Sequence, residues 1–267
     1  ILIHGSGDTM RKGHFYLNDG RMTLKILPRI KPDDPAFGQD YSTRAKLVGQ
    51  YFRREYAQLA QAVEQPGYYK NELIANYLYK GPVLEWYAKI KMRLEAYYQL
   101  FDSLLPRRGR ILDIGCGYGF MSNMLALTSP EREVTGFDYD EEKITVAQHG
   151  FVNGPNVHFA CANALTAPLE QYDGIILSDV LHYLPGPEQQ ALLHKCYQSL
   201  RPEGVIVIRD GFRELTERHK GTVLTEWFST RFCKFNKTAD GRLDFPSTEL
   251  VRNFAAANQL ELSLIDN

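Results

Sequence analysis

Cysteine is scarce in this chain of 267 residues: four, at positions 116, 161, 196 and 233, far apart and with no Cys-x-x-Cys pair. That spacing argues against a zinc ribbon or a disulfide framework, and a reducing cytosolic setting is the simplest reading. The seven histidines (4, 14, 149, 158, 182, 194 and 219) show no His-Glu-x-x-His spacing, so no metal is expected. Excess charge of one sign is also missing. Lys and Arg number 31 against 32 Asp and Glu, for a net charge of −1. No global basic field points to nucleic acid, and the short pairs Arg53-Arg54 and Arg107-Arg108 read as solvated surface. No apolar run approaches the roughly 18 residues that suggest a membrane helix, and no signal peptide is present. The opening Ile1-Leu2-Ile3-His4-Gly5, without an initiator Met, reads as a piece of a longer polypeptide.

What the chain does have is 44% apolar residues, enough for a substantial core, and one stretch that organises the rest, Ile111-Leu-Asp-Ile-Gly-Cys-Gly-Tyr-Gly-Phe120. Ile111, Leu112 and Ile114 read as a short buried strand. Gly115, Gly117 and Gly119 follow at once, and good helix formers resume from Met121. Strand, glycine turn and helix in that order make a ligand site: the glycines let a ligand touch main chain, and the helix N-terminus offers free N–H groups. The spacing is one residue shorter than the dinucleotide fingerprint Gly-x-Gly-x-x-Gly, which disfavours an NAD-type oxidoreductase on a similar sheet.

Downstream, strands read at 133–137, 157–160, 174–177 and 205–208, with helical segments between. The turn 200–204 leads into the last of these strands. That alternation predicts an α/β, Rossmann-like, parallel-dominated sheet with helices on both faces. A helix is expected at 247–258 with Ser247 as its cap, and a sixth strand at 260–265. A polar insertion over 212–244 holds an expected helix near 222–232. Upstream, 68–105 is helix-rich and full of tyrosine, broken at Gly81-Pro82. It reads either as a packed helical cap or as a lid bringing tyrosines over the site.

Preceded by Leu-Asp-Ile, Gly115-x-Gly117-x-Gly119 resembles motif I of the class I S-adenosylmethionine (SAM) dependent methyltransferases. Three further segments, in order, resemble later motifs of that family over residues 68–267. The resemblance implies SAM as cofactor, with S-adenosylhomocysteine as product. It assigns the three glycines and Asp113 to the amino-acid end of SAM; an Asp there can also simply cap the turn. Asp138, ending the second strand, is implied as the ribose ligand, by the same logic as the acidic residue about 20 positions on in dinucleotide folds. Asn163-Ala164 stands where the family commonly has an Asp followed by Ala, and the Asn carbonyl can still accept from an adenine amino group. Ser178 and Asp179 are expected near the sulfonium, and Asp173 is expected to be a turn or capping residue ahead of its strand. His182 is the catalytic candidate, suited to a general base by its unperturbed pKa of about 6.5, with a packing or cofactor-adjacent role as the alternative.

The first 65 residues carry a second resemblance. Ile-His-Gly at 3–5, Lys12-Gly13 and the strand ending Ile26-Leu27-Pro28 are similar to the C-terminal strands of lysophospholipid acyltransferases. His14 and Asp19 happen to spell the His-x-x-x-x-Asp of that family at a place where it has no catalytic pair, so the segment should be inert. Strands are expected at 1–3, 15–17 and 22–27, with a turn at 18–20, then a helix over 42–63 and a boundary at Gln65-Pro66-Gly67. The division is therefore 1–65 as acyltransferase-like remnant and linker helix, and 66–267 as methyltransferase, with cap 68–105 and core 106–267. The expected reaction is methyl transfer to a small aromatic (hydroxyphenyl) or lipid-linked acceptor. The expected setting is cytoplasmic, at the membrane face in the parent protein, with an acyltransferase fused upstream as in aryl-polyene-type pathways. The competing reading is a non-catalytic SAM-binding or scaffolding module.

Overall fold

The structure, a computed structural model, describes residues 1–6, 21–94, 97–214 and 243–265. The expected strand at 15–17, the turn at 18–20, the His14/Asp19 coincidence and the helix near 222–232 lie outside the described residues. The chain divides into two compact units, Ile1–Lys70 and Asn71–Asn267.

In the first unit, β1 (Leu2–His4) pairs antiparallel with β2 (Thr23–Lys25). The long helix α1 (Tyr41–Val63) starts where Asp40 accepts the Thr43 N–H at 2.9 Å, satisfying one of the orphan donors of a first turn. Its apolar stripe is imperfect because only one face is used: Leu59 and Val63 are buried with Leu2, flanked by Leu27 and Phe52. Lys25 and Glu55 pair at 3.1 Å across the same contact.

The second unit begins with three helices, α2 (Lys70–Ala75), α3 (Pro82–Leu94) and α4 (Tyr98–Leu104). Pro82 does break the helical run, and it does so by starting α3, where its missing N–H costs nothing. Five parallel strands follow: β3 (Gly109–Ile114), β4 (Arg132–Asp138), β5 (Val157–Cys161), β6 (Tyr172–Ser178) and β7 (Leu200–Arg209), in the order β5-β4-β3-β6-β7. Helices α5 (Phe120–Thr128), α6 (Glu141–Gln148) and α7 (Gly186–Gln198) connect them, and α8 (Thr248–Ala257) follows with Ser247 as its cap. The expected α/β architecture is present. Strand order reverses between β3 and β6, and in such sheets ligands bind in the crevice outside the strand ends at that switch point.

Three expectations change. Residues 260–265 form no strand among the described residues; α8 ends at Ala257, Gln259 beyond it turns into the left-handed region (φ 54), and Leu262, Leu264 and Ile265 are exposed. Apolar alternation alone cannot make a strand without a neighbour to accept its ladder. The turn at 200–204 belongs to β7, as a bulge at Glu203 (φ 64) that shifts the pairing between Tyr172 and Gly174. Asp173 lies inside β6, where Oδ2 accepts the Arg110 N–H at 2.7 Å and pairs with Arg201 at 2.9 Å.

Below the sheet, Arg132 is 0% exposed and ion-paired with buried Asp102. Its guanidinium also donates to the carbonyls of Asp102 (3.0 Å) and Pro106 (2.8 Å) and to the Thr128 hydroxyl (3.1 Å). The network ties β4, α4 and α5 together. A buried pair broken on one side leaves an uncompensated charge. Arg132→Met is therefore expected to cost about 3–5 kcal/mol, measured by urea unfolding against the parent chain; a loss under about 1 kcal/mol would reduce the pair to a surface-type contact.

Candidate cofactor and methyl-transfer site

At the end of β3 the chain turns sharply because Gly115 N and Cys116 N both donate to the Phe137 carbonyl, at 2.7 and 2.9 Å. The three glycines that follow serve different needs. A Cβ on Gly115 would lie 2.4 Å from Val180 Cγ2, and one on Gly119 would lie 2.5 Å from Phe159 Cζ. Those two are required by packing. Gly117 (φ 57) meets nothing within 4 Å. The space where its side chain would stand is open, so a ligand can lie against main chain here.

Asp138, at the end of β4, holds this loop in place. Its Oδ2 accepts the Gly117 N–H at 2.8 Å, and its Oδ1 accepts the Asp140 N–H at 2.9 Å. Asp140 in turn caps α6 by accepting the Glu142 N–H at 3.1 Å. An ionised carboxylate offers about four lone-pair sites, so two remain to accept hydroxyls after the loop is pinned. Tyr139, next in the chain, is 54% exposed beside them.

Asp113 sits beneath the loop at 2% exposure, its Oδ2 accepting the Ser122 hydroxyl at 2.6 Å. Burial, reinforced by the Asp138 charge and opposed by the Ser122 hydrogen bond, pushes its pKa up to about 6. Burial likewise raises the Cys116 thiol well above its ordinary value, so that residue is packing. Tyr77 is fully buried, donates to the Tyr118 carbonyl at 2.7 Å and lies 4.4 Å from the Phe120 ring. The α2–α3 elbow thus packs on the glycine loop; Tyr97 and Tyr98 stack on each other at 5.2 Å.

On the β5 side, Asn163 is exposed and its Oδ1 already accepts the Leu165 N–H at 2.9 Å, making an Asx turn, while Ala164 contributes backbone beside it. On the β6 side, Ser178 donates to Asp179 at 3.4 Å. Asp179 takes a left-handed backbone (φ 56) and pairs with Arg209, whose guanidinium stacks 4.0 Å over Tyr97. His182 is fully buried. Its Nδ1 lies 2.6 Å from Asp210 Oδ1, and its ring packs on Tyr183 and Phe245. Asp210 also accepts the N–H groups of Leu181 (2.9 Å) and Gly211 (2.8 Å).

Every expected site residue therefore lies at one end of one sheet. Asp113, Gly117 and Asp138 converge, Asn163 and Ala164 flank them across β4 and β5, and Ser178, Asp179 and His182 lie beyond the switch point. Asp210 and Arg209 were missed as site residues. The signal that would have flagged Asp210 is the one used for Asp138, an acid closing an apolar strand run. Among the described residues no group of three or more His, Cys, Asp or Glu could hold a metal ion.

Residues 111–204, from β3 into β7, match the family model described as a methyltransferase domain. The match covers this segment, about a third of the chain. The segment contains every site residue expected from the sequence, whereas Tyr77, Tyr97, Arg209, Asp210 and Phe245 lie outside it. Curated relatives similar to it include a ubiquinone biosynthesis O-methyltransferase of Pseudomonas putida, 34% identical over 101 residues, covering 36% of this chain and 42% of that protein. One of the same name from Bordetella avium is 31% identical over 117 residues, covering 42% and 46%. The chain thus spans less than half the length of the curated relatives it matches. Solved structures of similar fold include the YcgJ protein from Bacillus subtilis (19% identical, TM-score 0.47, 61% of this chain and 68% of that one). An O-methyltransferase family 2 protein from Planctomyces limnophilus has 21% identity and a TM-score of 0.46, over 61% and 51%.

The buried acid Asp113 gives a pH signature. Its folded pKa lies above the ordinary 3.8, so its contribution favours the fold below pH 4 and is lost as pH rises through 6. Asp113→Asn should therefore gain stability over the parent chain between pH 4 and 7, reaching about 2–3 kcal/mol, read from urea midpoints across that range. Parallel curves would mean that Asp113 ionises in the fold as it does in the open chain.

Proposed function

We propose that this chain transfers a methyl group from SAM to the oxygen of a small phenolic acceptor. The observation that carries the reading is Gly117: main chain open to a ligand, at the switch point of the sheet, pinned by an acid with acceptor capacity to spare. The relatives' name, ubiquinone biosynthesis O-methyltransferase, supports oxygen as the acceptor atom and a phenol as its class. The cofactor supplies an electrophilic methyl group on a sulfonium.

The residues divide the work by chemistry. Asp138 accepts the ribose hydroxyls on the lone pairs left over from Gly117 and Asp140. Asp113 offers a buried negative charge to the ammonium, and the backbone from Gly115 to Gly119 lies against the amino-acid end. Asn163 and Ala164 border the adenine. Ser178 and Asp179 line the transfer end, where the Arg209–Asp179 pair stacked on Tyr97 fixes the wall. We assign His182 to holding the β6 loop through Asp210 rather than to proton removal, because its imidazole is fully buried and already engaged. A phenol needs only modest help in losing its proton, since positioning supplies most of the rate. The first unit, similar in sequence to the end of a lysophospholipid acyltransferase, supports a lipid-linked form of that phenol and a fused parent protein. The buried thiols of Cys116 and Cys196 suit a cytoplasmic setting.

Asp138→Ala should weaken SAM binding about 100-fold in calorimetry, and unaltered affinity would refute the site. Product mass spectrometry on a panel of phenols, with bound SAM verified beforehand, should show one added methyl on oxygen. SAM bound without turnover of any phenol would favour a non-catalytic SAM-binding module.

A further inference from the structure

Lys195 stands in the last turn of α7, on the far side of the loop that follows β5, and nothing in the reaction calls for it. Its ammonium donates to the Ala164 carbonyl at 2.8 Å and to the Ala167 carbonyl at shorter range. A cation near a helix C-terminus is ordinary, but this one reaches across to another element. There it satisfies two carbonyls of a tight turn. Burial against the loop pushes its pKa down, which marks the ammonium as partly withdrawn from water.

The rest of that turn is fully specified. The Asn163 carbonyl accepts the N–H groups of Thr166 (3.1 Å) and Ala167 (2.8 Å), its Oδ1 accepts the Leu165 N–H, and Ala162 N donates to the Asp138 carbonyl at 2.9 Å. The Ala164–Leu165 peptide is thus held at both ends, its carbonyl by Lys195 and its N–H by Asn163. The preceding Asn163–Ala164 peptide has its carbonyl turned into the loop. In a trans peptide the N–H points opposite to the carbonyl, so the Ala164 N–H is directed out of the turn, away from Thr166 and Ala167.

The geometry points to Lys195 as a positioning residue for the nucleobase, one that clamps the 163–167 turn so that the Ala164 N–H is presented to a ring-nitrogen acceptor of the adenine. This rests on the proposed SAM reading and deepens it at one end of the cofactor. Lys195 touches neither cofactor nor acceptor; it acts through Ala164. Its removal should therefore appear in nucleoside affinity, and the kinetic loss should fall on KM for SAM rather than on kcat.

The test compares Lys195→Met, which keeps the stem and removes the donors, with Lys195→Arg, which restores charged donors, in the full chain. Calorimetry is run with S-adenosylhomocysteine and with 5′-methylthioadenosine, which lacks the amino-acid end. Lys195→Met is expected to weaken both ligands by the same factor, about tenfold, with Lys195→Arg recovering most of it. Asp113→Asn should weaken only the first. Parent-like binding of both ligands by a folded Lys195→Met would overturn the proposal, as would a loss confined to S-adenosylhomocysteine. If Lys195→Met does not fold, Lys195→Gln carries the same comparison. Failure of the parent chain to bind either ligand would instead bring down the SAM reading itself.

Discussion

The carboxylate of Asp138 is the interaction on which the site's shape depends. It is the last residue of β4, yet its two oxygens reach back to Gly117, on the loop after β3, and forward to Asp140, the cap of α6. One acid thereby couples the glycine loop after β3 to the turn that starts α6. The Gly117 backbone would otherwise have to find its own conformation in the left-handed region, open to solvent and without a side chain to hold it. Two backbone donors also orient the carboxylate before any ligand arrives, and a preorganised acceptor of this kind needs no rearrangement on binding.

The neighbouring acid works differently. Asp113 is buried, meets one hydroxyl and is pushed towards neutrality, so one site holds a carboxylate solvated by main chain and another short of solvation. Carboxylates in such different surroundings commonly serve separate roles. In the proposed reading one grips sugar hydroxyls and the other waits for a cation. The β6 side adds a third arrangement, in which Asp210 gathers Leu181, His182 and Gly211 and so fixes the loop that carries Asp179.

Much of this was legible without coordinates. The run Ile111–Ile114 with glycines behind it reads as strand and turn because buried parallel strands are continuous apolar runs and only glycine follows them so closely. A helix over residues 42–63 was visible from its stripe and its closing Pro-Gly, within one residue of the observed Tyr41–Val63. Arg132 was not legible as core, since an arginine at a strand's start looks like surface until Asp102, thirty residues away, is folded against it. Asp173 was placed before its strand for the same reason: a charged residue in a sheet interior makes sense only when Arg110 and Arg201 are seen beside it. Leu262 and Leu264 erred the other way, with strand periodicity and no partner strand among the described residues.

What the sequence determined by itself was the local grammar: which residues make strands, where glycine permits a bend, and which acids stand at strand ends. Those follow from period, backbone freedom and position, all properties of neighbouring residues. Tertiary structure alone decided that a side chain is excluded by neighbours at Gly115 and Gly119 but not at Gly117, that His182 is buried against Asp210, and that Lys195 closes the turn at Ala164. The physical reason is that exposure and hydrogen-bond partnership are set by residues distant in the chain, and no local pattern carries information about which of them will arrive.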